Sequence, residues 1–494
     1  MKHLTDPVFP EGFLWGASSS AWQVEGGVAE GGRVPSVIDE NSKTKKPFAD
    51  DSITADHFHH YKEDVALMKQ CGFTSYRFAL AWPRIMSAPH TVNPQGIAFY
   101  DDLINELVDA GITPIVTLYH YDLPMWAYDM GGWGTREIID EFDFYVRTCF
   151  EHYGDRVKYW LALNEQNMQI IYGEHLGVAR GVRDWFKDKW HINHIMNMCH
   201  CHAVIACHDM VPGGKIGPVP GYVPIYPATG NPQDQIAAMN AEELTEKVWN
   251  DFDVFREYNT FIQKYWREND IDPGIMDGDM EYAKDAKIDF IAVNCYRSDM
   301  GKQPVPGINR DLKFAHMGTR GEMVYSNYEG IYALDRNPYV ERTDWDWHID
   351  PVSMRYALRY MWDHYHLPMV ITEAGFGAHE DLGPDGQIHD PYRIDYLRDY
   401  IYNVGLAIED GVEVFGFNPW SFTDLLSTGN GMAKRYGLVF VNTTDDDVRD
   451  LRRVPKDSYY WYSKLIKSNG REWGKDMTEW RDFTKQFPRA SDAD

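Results

Sequence analysis

A chain of 494 residues with 44% hydrophobic content can build two or three average domains or one large barrel. Its formal net charge of −27 argues against nucleic acid, which needs a basic surface to displace counterions, and against an anionic membrane surface. The same charge repels an anionic small substrate, so such a substrate needs a local cationic site.

The N-terminus, Met1 to Pro7, lacks the apolar core of a signal sequence, and no run is long enough to span a bilayer. Cys71, Cys149, Cys199, Cys201, Cys207 and Cys295 have no disulfide-framework spacing, so a reducing cytoplasm is expected. The chain holds 17 Trp and 31 Tyr. Most of these must pack the core, but flat faces with polar edges also suit a carbohydrate pocket.

Taken in order, apolar or β-branched runs alternate with amphipathic stretches. Strands are predicted at Phe13–Ser18, Ser75–Ala81, Thr113–Tyr119, Val157–Leu163, Lys215–Val219, Phe290–Asn294, Met369–Thr372 and Val412–Asn418. Few charges interrupt them, as expected for parallel strands buried on both faces. Phe58, Tyr61, Val65 and Met68 recur at helical spacing before Gly72. Phe99, Leu103, Ile104, Leu107 and Val108 do so before Gly111, and Ile394, Leu397, Ile401 and Leu406 form a third stripe. Eight strand–helix alternations predict a single α/β domain over residues 1–494, a (β/α)8 TIM barrel with long βα loops. The longest loop-like insertion is Arg297 to Asp350, and Lys475 to Asp494 reads as a polar surface tail.

Barrels carry their chemistry at the C-terminal strand ends. These ends offer Gln23 after the first strand, Arg77 in the second, His120 after the third and Asn164-Glu165 after the fourth. Asn294 and Tyr296 lie at the sixth, Glu373 at the seventh and Trp420 at the eighth. A lone strand-end His is more often structural; it is the coincidence of seven ends that points to a sugar site. Amides and imidazole pair with neighbouring hydroxyls, an indole stacks beneath the ring, and two carboxylates flank the glycosidic bond.

The segments Phe9-Pro-Glu-Gly-Phe-Leu-Trp-Gly-Ala-Ser, Tyr76-Arg-Phe-Ala-Leu-Ala-Trp-Pro-Arg-Ile, Thr117-Leu-Tyr-His-Tyr-Asp-Leu-Pro, Leu163-Asn-Glu, Ile371-Thr-Glu and Asn418-Pro-Trp-Ser resemble glycoside hydrolase family 1 over nearly the whole chain. The resemblance implies a retaining barrel hydrolase with Glu165 as acid/base and Glu373 as nucleophile. Gln23, His120, Asn164 and Trp420 would hold the sugar, with Arg77 and Tyr296 flanking the nucleophile and Asn294 in support. In retaining enzymes the two carboxyls sit roughly 5–5.5 Å apart. Arg77 is expected to favour an ionised Glu373, and a second carboxylate with limited solvent to raise the pKa of Glu165.

The chain departs from the family pattern with Gln166 for Pro, Ala374 for Asn and Tyr121 for Trp. A further departure follows Trp420: the family's sugar-binding Glu is Ser427 here, and Lys434-Arg435-Tyr436 follows. A carboxylate beside a phosphate repels it, and a lysine makes a charge-assisted hydrogen bond. The pattern resembles the 6-phospho-β-glycosidases of the family and implies that Ser427, Lys434 and Tyr436 bind phosphate. Thr428, where galactose-type enzymes carry Trp, resembles the glucose type. The expected partner is a phosphorylated β-glucoside such as cellobiose 6-phosphate. Open alternatives are an enzyme for unphosphorylated β-glucosides or β-galactosides, a 6-phospho-β-galactosidase, and an inactive phosphosugar-binding protein.

Neither cofactor nor metal is expected. His191, His194, Cys199, His200, Cys201, His202, Cys207 and His208 look like ligands, but the segment is helical in pattern and lacks the paired spacing of a zinc module. Cys199 and Cys201, two apart, face different sides of a helix. Oligomeric state, aglycone preference and the balance of hydrolysis against transglycosylation are not encoded in any motif.

Overall fold

The computed structural model describes residues 5–44, 49–314, 318 and 320–478, so the predicted polar tail lies outside the described residues from 479 on. All eight predicted strands form. They are β1 (Leu14–Trp15), β2 (Ser75–Ala79), β3 (Thr113–Tyr119), β4 (Tyr159–Asn164), β5 (Lys215–Val219), β6 (Ile291–Asn294), β7 (Met369–Glu373) and β8 (Val414–Phe417). Parallel pairing joins β2, β3, β4 and β5 in one run and β6, β7, β8 and β1 in another. Parallel bridges Ser18–Arg77 and Gly221–Asn294 close both seams. The Arg77 N–H donates to the Ala17 carbonyl (3.0 Å) and the Asp289 N–H to the Ile216 carbonyl (3.0 Å). The result is a closed eight-stranded parallel barrel, the TIM-barrel fold that the alternation predicts.

The strand residues divide by parity. Ile115, Leu161, Val219, Ala292 and Val370 form an interior cluster with Phe290. Val116, Ala162, Ile216, Val293 and Ile371 join the larger cluster under the helices. Each strand thus buries both faces, which is why its sequence is nearly continuous in apolar residues.

The predicted stripes lie on the inner faces of helices His57–Cys71, Pro94–Asp109 and Pro391–Glu409, except Val108, which is exposed. Gly72 ends the first in a left-handed conformation (φ 105°) and donates its N–H to the Met68 carbonyl at 3.1 Å.

The insertion after β6 differs from the loop expected. Its strands Asp299–Lys302, Tyr332–Asp335 and Asn327–Tyr328 form a small sheet with Ile225–Pro227, contributed by the loop after β5. A hairpin pairs Glu341–Arg342 with His348–Ile349 and carries Trp345 and Trp347 in its turn. These strands are only two to four residues long, and Asp299–Lys302 takes both its partners from far away in sequence, so no local periodicity marks them.

Candidate active site

The backbone is irregular where the two glutamates leave the barrel. The β4–β5 register shifts between Leu161 and Asn164, and the β6–β7 register shifts between Ile371 and Glu373. Such irregularities bend a strand end and re-aim its side chains. Glu165 then adopts a left-handed conformation (φ 43°), its N–H donating to the Val219 carbonyl at 2.7 Å, before helix Gln166–Leu176 starts. A non-glycine residue held there costs about 1–3 kcal/mol, a strain found mostly at functional positions.

Both glutamates open into one cavity of about 1290 Å³ at the C-terminal end of the barrel. Gln23, His120, Asn294, Tyr296, Trp420, Ser427, Lys434 and Tyr436 also line it. Arg77 and Asn164, predicted with them, are fully buried behind the lining.

Arg77 organises the inner wall. Its guanidinium donates to Thr117 (2.8 Å), to Glu373 Oε1 (2.5 Å) and to Asn164 Oδ1 (2.5 Å). Tyr296 donates its hydroxyl to Glu373 Oε2 at 2.8 Å. Glu165 accepts from the Tyr121 hydroxyl (2.7 Å) and the Asn294 amide (3.0 Å). With Asn164 Oδ1 accepting from Arg77, its amide nitrogen faces His120 Nε2 at 3.2 Å, which assigns the imidazole proton to Nδ1. Burial and the Arg77 charge hold His120 well below the usual histidine range, so the ring is neutral.

Gln23 is tied to the loop after β8 through its amide nitrogen and the Leu426 carbonyl (2.7 Å). The Trp420 indole lies nearly parallel to His120, with ring centroids 5.8 Å apart.

Burial pushes the Glu373 carboxyl up to about 7; the Glu165 charge adds to this, and Arg77 and Tyr296 oppose it. The sequence expectation counted the Arg77 charge and not the cost of dehydrating the carboxylate, and dehydration is the larger of the two.

The outer end has a different character. Lys434 is 2% exposed and its ammonium lies 3.9 Å from the Trp347 ring centroid, 4.8 Å from Trp345 and 5.3 Å from Tyr436. Among the described residues it has no salt-bridge partner. Burial and the neighbouring Arg297 charge hold it well below the usual lysine range. Its sequence neighbour Arg435 points the other way, to Asp424 (3.0 Å) and to the carbonyls of Val441 (3.0 Å) and Thr443 (2.5 Å). Ser427 lies beside the Tyr436 phenol. Thr428 is exposed at the rim.

Sequence reasoning missed Trp345, Trp347 and Arg297 as parts of this wall, and treated Tyr121 only as a departure. Gln166, the substituted Pro, has a structural use: its amide donates to Asn193 Oδ1 (2.9 Å) and Asn197 Oδ1 (2.6 Å) on helix Trp185–Met210. On the same helix His194 pairs with Tyr258 (2.9 Å) and Asp279 (2.8 Å), and no group of three metal-ligating side chains occurs among the described residues.

A parallel barrel that ends in two glutamates, ringed by amide, imidazole and indole groups, has the architecture of an O-glycosyl hydrolase. The chain belongs to glycosyl hydrolase family 1, whose model matches residues 5–471. It is 40% identical to the aryl-phospho-beta-D-glucosidase BglC of Bacillus subtilis, over 95% of this chain and 99% of that protein. It is 36% identical to a 6-phospho-beta-glucosidase of Dickeya chrysanthemi, over 94% of this chain and 98% of that protein. Among solved structures it resembles the family 1 β-glucosidase of Thermotoga maritima, with a TM-score of 0.84 and 32% identity over 95% of this chain and 100% of that one.

Proposed function

We propose that the protein is a cytoplasmic, single-domain, retaining 6-phospho-β-glucosidase that hydrolyses β-glucoside 6-phosphates to glucose 6-phosphate. The supporting observation is Lys434, a buried ammonium among aromatic rings with no salt-bridge partner, beside Ser427 where a carboxylate would repel a dianion. The names of the similar proteins from Bacillus subtilis and Dickeya chrysanthemi agree with a phosphorylated substrate. Six buried, free cysteines fit a reducing compartment. The net charge of −27 fits a small-molecule partner better than nucleic acid or membrane.

In this reading Glu373 attacks the anomeric carbon and the glycosidic bond breaks, the leaving oxygen taking a proton from Glu165. Glu165, now a carboxylate, removes a proton from water, which attacks the same carbon and frees Glu373. Arg77 and Tyr296 donate to Glu373 and so favour its attacking, ionised form. Gln23, His120 and Trp420 bind the sugar hydroxyls and ring face, with Asn294 in support, and Asn164, behind the lining, holds the His120 ring in place. Ser427, Lys434 and Tyr436 receive the phosphate.

The test compares kcat/KM for an aryl β-glucoside, its 6-phosphate and the galactoside 6-phosphate, on the parent and on Lys434→Ala. Losing a charge-assisted contact costs about 1.5–3 kcal/mol, roughly tenfold to a hundredfold. The parent is expected to prefer the glucoside 6-phosphate and the variant to lose that preference. Equal turnover of the plain glucoside, unchanged by the substitution, would instead make it an enzyme for unphosphorylated β-glucosides.

A further inference from the structure

Behind Glu165 the polypeptide is fastened by a second carboxylate, Glu246, which does not itself line the cavity. Asn167 stands two residues after Glu165 in the first turn of helix Gln166–Leu176, and its side chain pairs with one backbone unit of the neighbouring strand end. Its Oδ1 accepts the Gly221 N–H (3.1 Å), and its Nδ2 donates to the Gly221 carbonyl (2.7 Å). This reciprocal pair fixes the orientation of the amide. The same nitrogen faces the Thr245 carbonyl (3.0 Å) and Glu246 Oε2 (3.2 Å). The other Glu246 oxygen accepts the Val223 N–H at 3.2 Å. Asn167 and Glu246 are each 1% exposed. Glu246 lies in a π-helical turn, Glu243–Lys247, a conformation rare enough to need a local reason.

The object held in place is Gly221. A methyl group built on it would lie 3.1 Å from the Glu165 carboxyl carbon and Oε1, and 3.1 Å from the Met168 terminal methyl. Glycine therefore lets the backbone close against the back of the carboxyl. The next residue, Tyr222, donates its N–H to the Asn294 carbonyl at 2.8 Å, and the Asn294 amide donates to Glu165 Oε1. One strand end thus fixes both the rear contact of Glu165 and one of its hydrogen-bond donors.

We infer that Asn167 and Glu246 are positioning residues for Glu165, clamping the Gly221–Val223 segment so that the carboxyl stays aimed at the glycosidic oxygen. The inference rests on the acid/base reading of Glu165. A displacement on the order of 1 Å can cost about a hundredfold when a catalytic group must meet a reacting atom, and general acid catalysis contributes about 10²–10⁴-fold. That loss must depend on how much the leaving group needs a proton. A dinitrophenolate leaves without help, whereas an unsubstituted phenolate needs the acid.

The experiment measures kcat/KM, which reports the first bond-breaking step, for dinitrophenyl and phenyl β-glucoside 6-phosphates. The enzymes are the parent, Asn167→Ala, Glu246→Gln, Gly221→Ala and Glu165→Gln. Asn167→Ala is expected to lower the phenyl value by roughly tenfold to a hundredfold and to leave the dinitrophenyl value within about threefold. Gly221→Ala, which pushes on the carboxyl while keeping the clamp, should give the same selective loss and supplies the test if Asn167→Ala does not fold. Glu246→Gln should give a weaker version. If Glu165→Gln is selective but Asn167→Ala and Gly221→Ala lower both substrates alike, or neither, the clamp is structural and the inference is overturned. If Glu165→Gln itself is unselective, the acid/base reading fails and the clamp inference falls with it.

Discussion

Two of the cations around the cavity, Arg77 behind its inner wall and Lys434 at its outer end, are held in opposite ways. Arg77 at the inner end is fully buried and spends its guanidinium on Thr117, Glu373 and Asn164. Lys434 at the outer end is nearly as buried, yet it faces the rings of Trp345, Trp347 and Tyr436 and has no salt-bridge partner among the described residues. The inner wall is electrically complete without substrate, which suits a place where bonds are made and broken in fixed geometry. If Lys434 receives the phosphate as proposed, the outer wall gains its counter-charge only from the substrate. Substitutions at the two ends should therefore differ in kind as well as in size.

The largest effect is expected at Glu373, the proposed nucleophile. Glu373→Ala should reduce kcat/KM on the order of 10⁴–10⁶-fold, as removal of a covalent nucleophile does elsewhere. Added azide should restore turnover and give the α-glycosyl azide, because it attacks from the face that Glu373 vacates; a β-azide would reverse the assignment of the two glutamates. Next comes Arg77→Met, which takes the buried cationic partner from Glu373 and leaves Asn164 Oδ1 only the longer contact to the Asn294 amide (3.3 Å). Breaking a buried pair by removing one partner costs about 3–5 kcal/mol, and a denaturant midpoint measured with unchanged slope would register it.

How much of this could be read from the residues divides along the same line. The inner wall was legible because its parts stand at strand ends, and strand ends are marked by where an apolar run stops: Asn164-Glu165 after Leu163, Glu373 after Thr372, Trp420 after Asn418-Pro419. The eight-strand alternation was legible for the same reason. The outer wall was half legible. Ser427, Lys434 and Tyr436 could be placed by their distance from Trp420, but Lys434 and Arg435 are adjacent letters, and only folding decides that Arg435 turns to Asp424 while Lys434 turns inward. Trp347 lines the cavity and Trp345 packs on Lys434, both on a hairpin whose two-residue strands leave no periodic trace. The Tyr121 hydroxyl reaches Glu165 across 44 residues of sequence, and nothing in the local pattern announces it.

Lys434→Met carries the contrast into stability. Methionine fills a similar volume, keeps the contact with the rings and removes a cation that burial penalises. Whereas Arg77→Met destabilises, Lys434→Met should leave the thermal midpoint unchanged or raise it by about 1–2 °C, while losing roughly tenfold to a hundredfold in preference for the 6-phosphate. A clear fall in the midpoint would mean that the aromatic surroundings already satisfy the ammonium and that it is a structural element, not a vacant charge.

The smallest expected effect concerns the pH at which Glu373 becomes active. Its carboxyl is pushed up from 4.5 to about 7, so kcat/KM should rise through about pH 7 as the nucleophile ionises. The stability linkage has the opposite slope. A carboxyl raised in the folded state binds its proton more tightly there than in the unfolded chain. Its contribution to stability is full below 4.5 and is lost as pH rises through about 7. Tyr296→Phe removes a 2.8 Å hydrogen bond that favours the ionised form. One such bond is worth about 0.5–1.5 kcal/mol, so the acid limb should move upward by roughly 0.4–1 pH unit. The substrate phosphate titrates near pH 6 and shapes the same limb, but it does so equally in both enzymes, so the difference between the two profiles isolates Glu373. A limb that stays in place on Tyr296→Phe would mean that Arg77 alone sets the charge of Glu373 and that the tyrosine serves only to shape the cavity.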